Sequence, residues 1–387
     1  MSAPSDSGTF IATCAGGLET VLEKEITDRG WQVTGSASGA VRFAGSEVVL
    51  TEANIVLRTA SRILVPVTTG HARSYDELYR LASRADWHRL APPSCSIGVS
   101  VISSDRDVSD IRFAALRVKD AIVDVQRRRT GKRSRVERRI PDIGVVAHVA
   151  NGSAEISLDS TGRPLHVRGY RTEAGAAPLR ETVAAGMVLL SGWDCQSPLT
   201  DPFCGSGTIL IEAALIAAGI HPGIQRDDFA FLHWPGADRA AFDRLRAKLR
   251  SQGHQPPERA GESPRPPLIR GADTDPAVIE VALRNAERAG VQDMITIDHR
   301  DFFTDPQGDT VGTLLTNPPY GERMELEDAA GFYGRLGDHL KRNYKGSTAW
   351  ILSANRTAMK RIGLRTSAKL PLFNGGLESR LYRIALF

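Results

Sequence analysis

Ten residues, LLTNPPYGER (314–323), place two consecutive prolines behind an asparagine and in front of a tyrosine. An apolar run from Val311 to Leu315, broken only by Gly312 and Thr313, leads into them and predicts a buried strand. Proline supplies no N–H, so the backbone at Pro318 and Pro319 presents acceptors without donors. The Asn317 side-chain oxygen and the Pro318 carbonyl are therefore expected to accept both hydrogens of an exocyclic NH2. Such a corner fits a planar aromatic amine whose lone pair is conjugated into its ring. Holding both hydrogens pyramidalises the nitrogen and aims the lone pair at an incoming methyl. Orientation and electrostatics then carry the reaction, and no strong base is needed. Tyr320 offers a ring face for the base to stack on, and that base must be flipped out or already unpaired. Asn317, Pro318, Pro319 and Tyr320 are the candidate catalytic residues; the competing reading is a proline-rich turn after a strand.

A second constellation argues against that bland reading. LTDPFCGSGTILIEAALIA (199–217) has the pattern of a strand, a glycine turn and a helix. Gly205 and Gly207 let the backbone approach a ligand where a Cβ would collide, and the helix behind them points amide donors at it. Asp201 stands at the strand's C-terminal edge, where open α/β sheets bind cofactors; Pro202 and Phe203 follow it, and Thr208 opens the helix. The turn lacks the third glycine of the dinucleotide fingerprint, and no Gly-Lys-Ser/Thr of a P-loop follows. An acid ahead of GxG suits a cationic, amine-bearing cofactor such as S-adenosylmethionine (AdoMet) better than a pyrophosphate. Cys204 is set aside as a nucleophile because no His is placed to serve it. Farther on, IRGADTDP (269–276) ends a second strand at Asp273 and Thr274, with Asp273 expected on the ribose hydroxyls. Asp275 before Pro276 reads equally well as a helix N-cap. DHRDFF (298–303) closes a third strand, and Asp301, followed by Phe302, is placed for an adenine amine.

These residues need a scaffold. At 387 residues two domains are expected, and 41% hydrophobic with 24% charged residues excludes disorder of the whole. Residues 1–8 read as a polar tail. From 9 to 158 the elements are short and mixed, with strands at Phe10–Thr13, Ile97–Ile102, Val145–Val149 and Ala154–Leu158. Leu18–Gly30 has helical spacing, as does Ile111 to about Gln126, where Ile111, Ala115, Val118, Ile122 and Val125 form one stripe. Residues 159–180 read as a linker, and from Glu181 to Phe387 helix and strand alternate, as in a parallel sheet covered by helices. An insertion of about 219–267 separates the glycine turn from Asp273; its end, QGHQPPERAGESPRPP (252–267), reads as a mobile loop.

Net charge is only +4, yet Arg112–Arg139 holds eleven Lys or Arg against three Asp or Glu. Arg127, Arg128, Arg129, Lys132, Arg133 and Arg135 crowd the centre of RRRTGKRSRVERR (127–139), which suits the phosphates of a polyanion. Without interleaved aromatics the stretch is expected to position backbone rather than read bases, the alternative being a solvated, mobile loop. Cys14, Cys95, Cys195 and Cys204 are scattered, so no metal site or disulfide framework is expected. The N-terminus lacks a basic region and a long apolar stretch, and no run is long enough to cross a bilayer; a reducing cytoplasm is the expected setting.

Together DPFCGSGT, GADTDP, TNPPYGER and the C-terminal FNGGLESRLYRIAL resemble the THUMP-domain RNA guanine-N2 methyltransferases. That group holds the 23S ribosomal RNA enzyme of RlmL type and related tRNA enzymes. FIATCAGGLETVLEKEI is similar to the family's opening, LHVRGYRTEAGAAPLRETVAAGMV to the passage joining its two parts, and FAFLHWPGAD (229–238) to its insertion. The resemblance implies an α/β, Rossmann-like AdoMet-dependent methyltransferase domain (181–387) preceded by an α+β ferredoxin-like and THUMP RNA-binding region (9–158). It implies a cofactor turn at Asp201, Phe203, Gly205 and Gly207, a ribose acid at Asp273, an adenine contact at Asp301 and a target-amine grip at Asn317–Tyr320. Ala177–Glu181 (APLRE) matches a segment beside the cofactor. The long fused ribosomal enzymes carry a second methyltransferase domain, and this chain stops at Phe387, so a second modification is not implied. The expected activity is N2-methylguanosine formation in rRNA or tRNA. The alternatives are an adenine-N6 methylase on RNA or DNA and a non-catalytic RNA-binding assembly factor, and the intact Asn317–Tyr320 argues against the latter.

Overall fold

The computed structural model describes residues 8–171, 179–252, 268–304, 311–319 and 326–387. The expected tail (except Gly8, which opens the first strand), residues 253–267 of the expected mobile loop, and Tyr320 lie outside the described residues. The chain divides into two compact units. One comprises residues up to Thr13, Ile26–Leu165 and Arg226–Ala247; the other comprises Cys14–Glu25, His166–Gln225 and Lys248–Phe387.

The first unit is laid out as β1 (Gly8–Cys14), α1 (Glu19–Asp28, shared between units), β2 (Val33–Ala37), β3 (Ala40–Gly45), α2 (Glu47–Val56), β4 (Ala60–His71), α3 (Tyr75–Ala82) and α4 (Trp87–Leu90). β5 (Ile97–Ser103), α5 (Ile111–Thr130), β6 (Ile143–Ala150) and β7 (Ser153–Asp159) complete it. Its seven strands form one sheet in the order β2-β3-β1-β4-β7-β6-β5. Ile97, Ile143, Val145, Ala147 and Ile156 from the sheet meet Val118, Ala121, Ile122 and Val125 of α5 in one apolar core.

α5 runs on to Thr130, past the expected end near Gln126. The apolar stripe stops at Val125, but Gln126 is itself buried, and Gly131 ends the helix in the left-handed conformation (φ 73°). Ile111, expected on the buried stripe, is 48% exposed. It occupies the first helical position, where the side chain leans back beyond the end of the core.

The second unit holds α6 (Glu181–Ser191), β8 (Leu199–Asp201), α7 (Thr208–Ala217), the end of α8 (Arg239–Gln252), β9 (Ile269–Asp273), α9 (Pro276–Ala289) and β10 (Ile295–His299). β11 (Thr313–Thr316), α10 (Leu326–Asn343), β12 (Thr348–Ser353), α11 (Arg356–Met359), β13 (Thr366–Asn374) and β14 (Leu377–Ala385) follow. The strand order is β10-β9-β8-β11-β12-β14-β13. The first five are parallel, and β14 runs antiparallel between β12 and β13. α7 is apolar almost all round and correspondingly buried. Its one charge, Glu212, is fully buried against the Arg168 guanidinium at 3.5 Å and the Tyr170 hydroxyl at 3.0 Å. A carboxylate there without such partners would be strongly destabilising.

Arg226–Ala247, within the expected insertion, belong to the first unit. Phe229, Phe231 and Phe242 cluster there with ring centroids 5.5 to 5.9 Å apart. Arg226 lies over the Phe229 ring at 4.6 Å and donates to the carbonyls of Thr161, Arg163 and Pro164.

Candidate active site

In the second unit the strand order reverses at β8, with β9 and β10 on one side and β11 and β12 on the other. Such a reversal opens a crevice at the carboxyl ends of the strands. Asp201 ends β8, Asp273 ends β9, Asp301 lies just past β10 and Asn317 directly follows β11. Parallel pairing brings all four to one edge of the sheet.

Both glycines of the turn have positive φ, 52° at Gly205 and 79° at Gly207. A Cβ on Gly205 would meet no atom of the described residues within 4 Å, so the turn faces open space among them; one on Gly207 would come 3.1 Å from Ala282 of α9. Gly207 thus lets two helices close up, while Gly205 leaves room for a ligand. The Gly205 N–H donates to Asp273 Oδ2 at 3.0 Å, and Asp273 Oδ1 accepts the Asp275 N–H at 3.1 Å. Asp275 caps α9, accepting from Ala277 N–H at 2.9 Å with Pro276 in the first turn, so the capping duty falls to it and not to Asp273. The fully buried Asn285 donates to the Ser206 carbonyl at 3.2 Å and fixes the turn from behind. Arg171 donates to the Leu179 carbonyl at 2.8 Å and to Glu181 at 2.9 Å, and reaches the Thr208 hydroxyl at 3.4 Å. Burial pushes the Glu181 carboxyl up to about 7 despite that arginine.

Asp201 is buried and accepts from the Thr316 hydroxyl at 2.6 Å and the Phe203 N–H at 3.2 Å. Loss of solvent, helped by the nearby Asp273 charge, pushes its carboxyl up to about 7. Pro202 is buried beside it. Burial also drives the Cys204 thiol well above its usual range, which keeps it protonated and a poor nucleophile. At the end of β11 the Asn317 Oδ1 is buried with no hydrogen-bond partner among the described residues. Pro318 is buried behind it and Pro319 half-buried. An orphaned buried acceptor is costly in a folded protein, and a ligand's donor would satisfy it.

The Asp301 carboxylate accepts the Phe303 N–H at 2.9 Å. Phe302 is buried in an aromatic wall, 5.3 Å from Phe203, and Phe332 of α10 lies 5.4 Å from Phe203. Thr274 is exposed at the end of β9, its carbonyl 3.0 Å from His299 Nε2. Thr316, Asn285, Arg171 and Phe332 were not singled out from sequence. Only Thr316, a hydroxyl at the end of a buried strand beside Asn317, carried a local signal.

The basic residues belong to the first unit. Arg127, Arg128 and Arg129 form the last turn of α5, and Lys132, Arg133 and Arg135 follow; all six are exposed. The segment is tied down. The buried Ser134 N–H donates to Gln126 Oε1 at 2.9 Å, the Ile97 N–H to the Arg135 carbonyl at 2.8 Å, and the Glu137 N–H to the Ile97 carbonyl at 2.9 Å.

Residues 9–64 match the RlmL ferredoxin-like domain, 72–159 the THUMP domain, and 168–383 the RMKL-like methyltransferase domain. The chain is 38% identical over 381 residues to a Synechocystis sp. protein provisionally named an RNA methyltransferase, covering 98% of this chain and 97% of that protein. It is 34% identical over 371 residues to ribosomal RNA large subunit methyltransferase K/L of Shewanella baltica, covering 95% of this chain and 52% of that one. The chain thus spans about half the length of the K/L relatives it matches. Of solved structures, SMU.472, provisionally named a methyltransferase and crystallised with SAH, aligns with a TM-score of 0.85 and 30% identity over 99% of both chains. A Listeria monocytogenes protein described as a predicted N6-adenine-specific DNA methylase aligns with 0.84 and 29% over 98% of this chain and 97% of that one. With its reversed strand order, its glycine turn and a match running from 168 to 383, the chain belongs to the family of the RMKL-like methyltransferase domain.

Proposed function

We propose that the chain is an AdoMet-dependent RNA methyltransferase that forms N2-methylguanosine in ribosomal or transfer RNA. One observation carries the reading. Asn317 Oδ1 is a buried acceptor without a partner among the described residues, followed by two prolines that offer no N–H, on the sheet edge that also holds Asp201 and Gly205.

The residues fit the cofactor. The open space at Gly205 admits it, the Asp201 carboxylate suits its α-ammonium, Asp273 suits the ribose hydroxyls and Asp301 the adenine amine. Pro202, Phe203, Thr208, Thr274 and Phe302 flank those positions. When bound, AdoMet supplies an electrophilic methyl on its sulfonium. The chain does the rest. Asn317 Oδ1 and the Pro318 carbonyl accept the two hydrogens of the target amine. The nitrogen lone pair is thereby freed from the ring and aimed, so most of the barrier falls through orientation. Arg127, Arg128, Arg129, Lys132, Arg133 and Arg135 contact phosphates without reading sequence. The THUMP match, the K/L relatives' naming for ribosomal RNA and the SAH bound to SMU.472 support this reading.

The test is mass spectrometry of nucleosides from RNA of a strain lacking the gene, after incubation with the protein and AdoMet. N2-methylguanosine is expected. N6-methyladenosine, the modification to which the Listeria neighbour's description points, would overturn the guanine assignment. RNA binding with no methylated nucleoside would leave the assembly-factor reading.

A further inference from the structure

A second basic surface lies in the methyltransferase unit. From Ala329 to Arg365 the chain holds eight Lys or Arg against a single acid, Asp338. Lys341 and Arg342 stand in the last turn of α10, and Lys345 follows it. Lys360 and Arg361 open a short 3-10 turn after α11, and Arg365 immediately precedes β13.

The fold gathers these six. Leu336 and Leu340 of α10 share one core with Met359 and Ile362. A Cβ on Gly337 would fall 1.7 Å from the Ile362 carbonyl oxygen, so only glycine lets the helix and the turn approach this closely. Thr348 of β12 pairs with Ala385 of β14, and Thr366 of β13 with Ile384. Lys345 and Arg365 therefore flank the same end of the sheet, roughly 20 Å along the strands from Asn317, given about 3.3 Å per residue.

All six are exposed, and none forms an ion pair with a described residue. Other surface arginines of this unit do: Arg284 pairs with Glu280, Arg300 with Asp298 and Arg356 with Glu378. The helix dipole favours cations at the end of α10, but that accounts for Lys341 and Arg342 alone. The helix's other acids, Glu327 and Asp328, stand in its first turn, at the far end. Uncompensated exposed cations repel one another, and a phosphate chain would relieve that repulsion.

We propose that this surface binds the phosphate backbone of the substrate RNA some distance from the target nucleotide, a foothold separate from that of α5. The proposal rests on the reading of the chain as an RNA methyltransferase. The test is the combined variant Lys341→Gln, Arg342→Gln, Lys360→Gln, Arg361→Gln, titrated against a fluorescent stem–loop RNA of mixed sequence at several salt concentrations. Binding is expected to weaken about tenfold or more near 0.1 M salt. The slope of log affinity against log salt should flatten by about 3, at roughly 0.7–0.9 per phosphate contact. Turnover of bulk ribosomal RNA should show a raised KM with kcat and SAH affinity unchanged, because these side chains are far from the cofactor edge. Unaltered affinity and slope in a variant that still binds SAH would overturn the proposal. Wild-type protein that binds the stem–loop more tightly than the variant, yet methylates no RNA, would sink the functional reading and leave the surface standing.

Discussion

The backbone N–H of Gly205 donates to the Asp273 carboxylate at 3.0 Å and joins the glycine turn after β8 to the end of β9. One carboxylate thus shapes the turn and faces the crevice, so Asp273→Asn should damage both duties. SAH affinity is expected to fall roughly ten- to a hundredfold, the equivalent of about 1.5–3 kcal/mol for a hydrogen bond to a charged group. Stem–loop RNA affinity should be unchanged. Calorimetry with SAH decides it, and an affinity equal to wild type would remove Asp273 from the cofactor site.

Asn317→Ala deletes the orphaned acceptor at the end of β11. kcat is expected to drop about 10²–10³-fold, the usual cost of removing one preorganised polar group aimed at a reacting atom. SAH and RNA binding should stay within about twofold of wild type. Single-turnover methylation near the normal rate would refute the role given to Asn317.

Asp201 is expected to make cofactor binding depend on pH. Burial holds its carboxyl up at about 7, so the group is neutral below that value and charged above it. Only the charged form attracts an α-ammonium. SAH affinity should therefore rise as pH climbs through about 7 and fall roughly tenfold per unit beneath it, and Asp201→Asn should flatten the profile. Stability without ligand runs the other way. A raised carboxyl favours folding below its unfolded value, and that contribution is lost as pH rises from the ordinary carboxylate range through 7. Glu181, raised by the same cause, adds a contribution of the same sign.

Thr316→Val keeps the shape of the β11 strand end and removes the hydroxyl that favours the charged form of Asp201. The inflection of SAH affinity against pH should move upward by about one unit or more, as expected when a carboxylate loses a hydrogen bond of about 1.5–3 kcal/mol. A purely structural threonine would lower the melting temperature and leave the inflection in place.

Gln126→Leu leaves the buried Ser134 N–H without its acceptor. Stability should fall by about 1–3 kcal/mol, the cost of an unsatisfied buried group. RNA affinity should fall too, because Arg127–Arg135 lose their tether to the end of α5. A melting curve and a stem–loop titration together check it.

Chemistry was the most legible part of the sequence. Gly205, Gly207 and Asp273 stand out in the sequence because a GxG turn behind one strand and an acid ending the next suit a ligand's close approach, and the structure joins Gly205 to Asp273 by a hydrogen bond. Periodicity ends α5 too early because Gln126 is polar yet buried, which the pattern reads as solvent. Thr316 carries little signal of its own because threonine is common in strands for reasons of shape alone. The placement of Arg226–Ala247 was hidden because Phe231 bonds to Ser160 and Arg226 to residues 161–164, partners that no local pattern connects. The cations at the end of α10 and after α11 form no local pattern, because they are spread along the chain and are brought together by the core of Leu336, Leu340, Met359 and Ile362 and by the close approach of Gly337 to Ile362.

Because Phe229, Phe231 and Phe242 complete the first unit from within the stretch between β8 and β9, no single cut in the gene releases either half intact. A fragment beginning at His166 would leave Arg226 without its carbonyls and the Phe231 N–H without the Ser160 carbonyl. Exchange of the N-terminal module must therefore carry a second, distant piece of coding sequence.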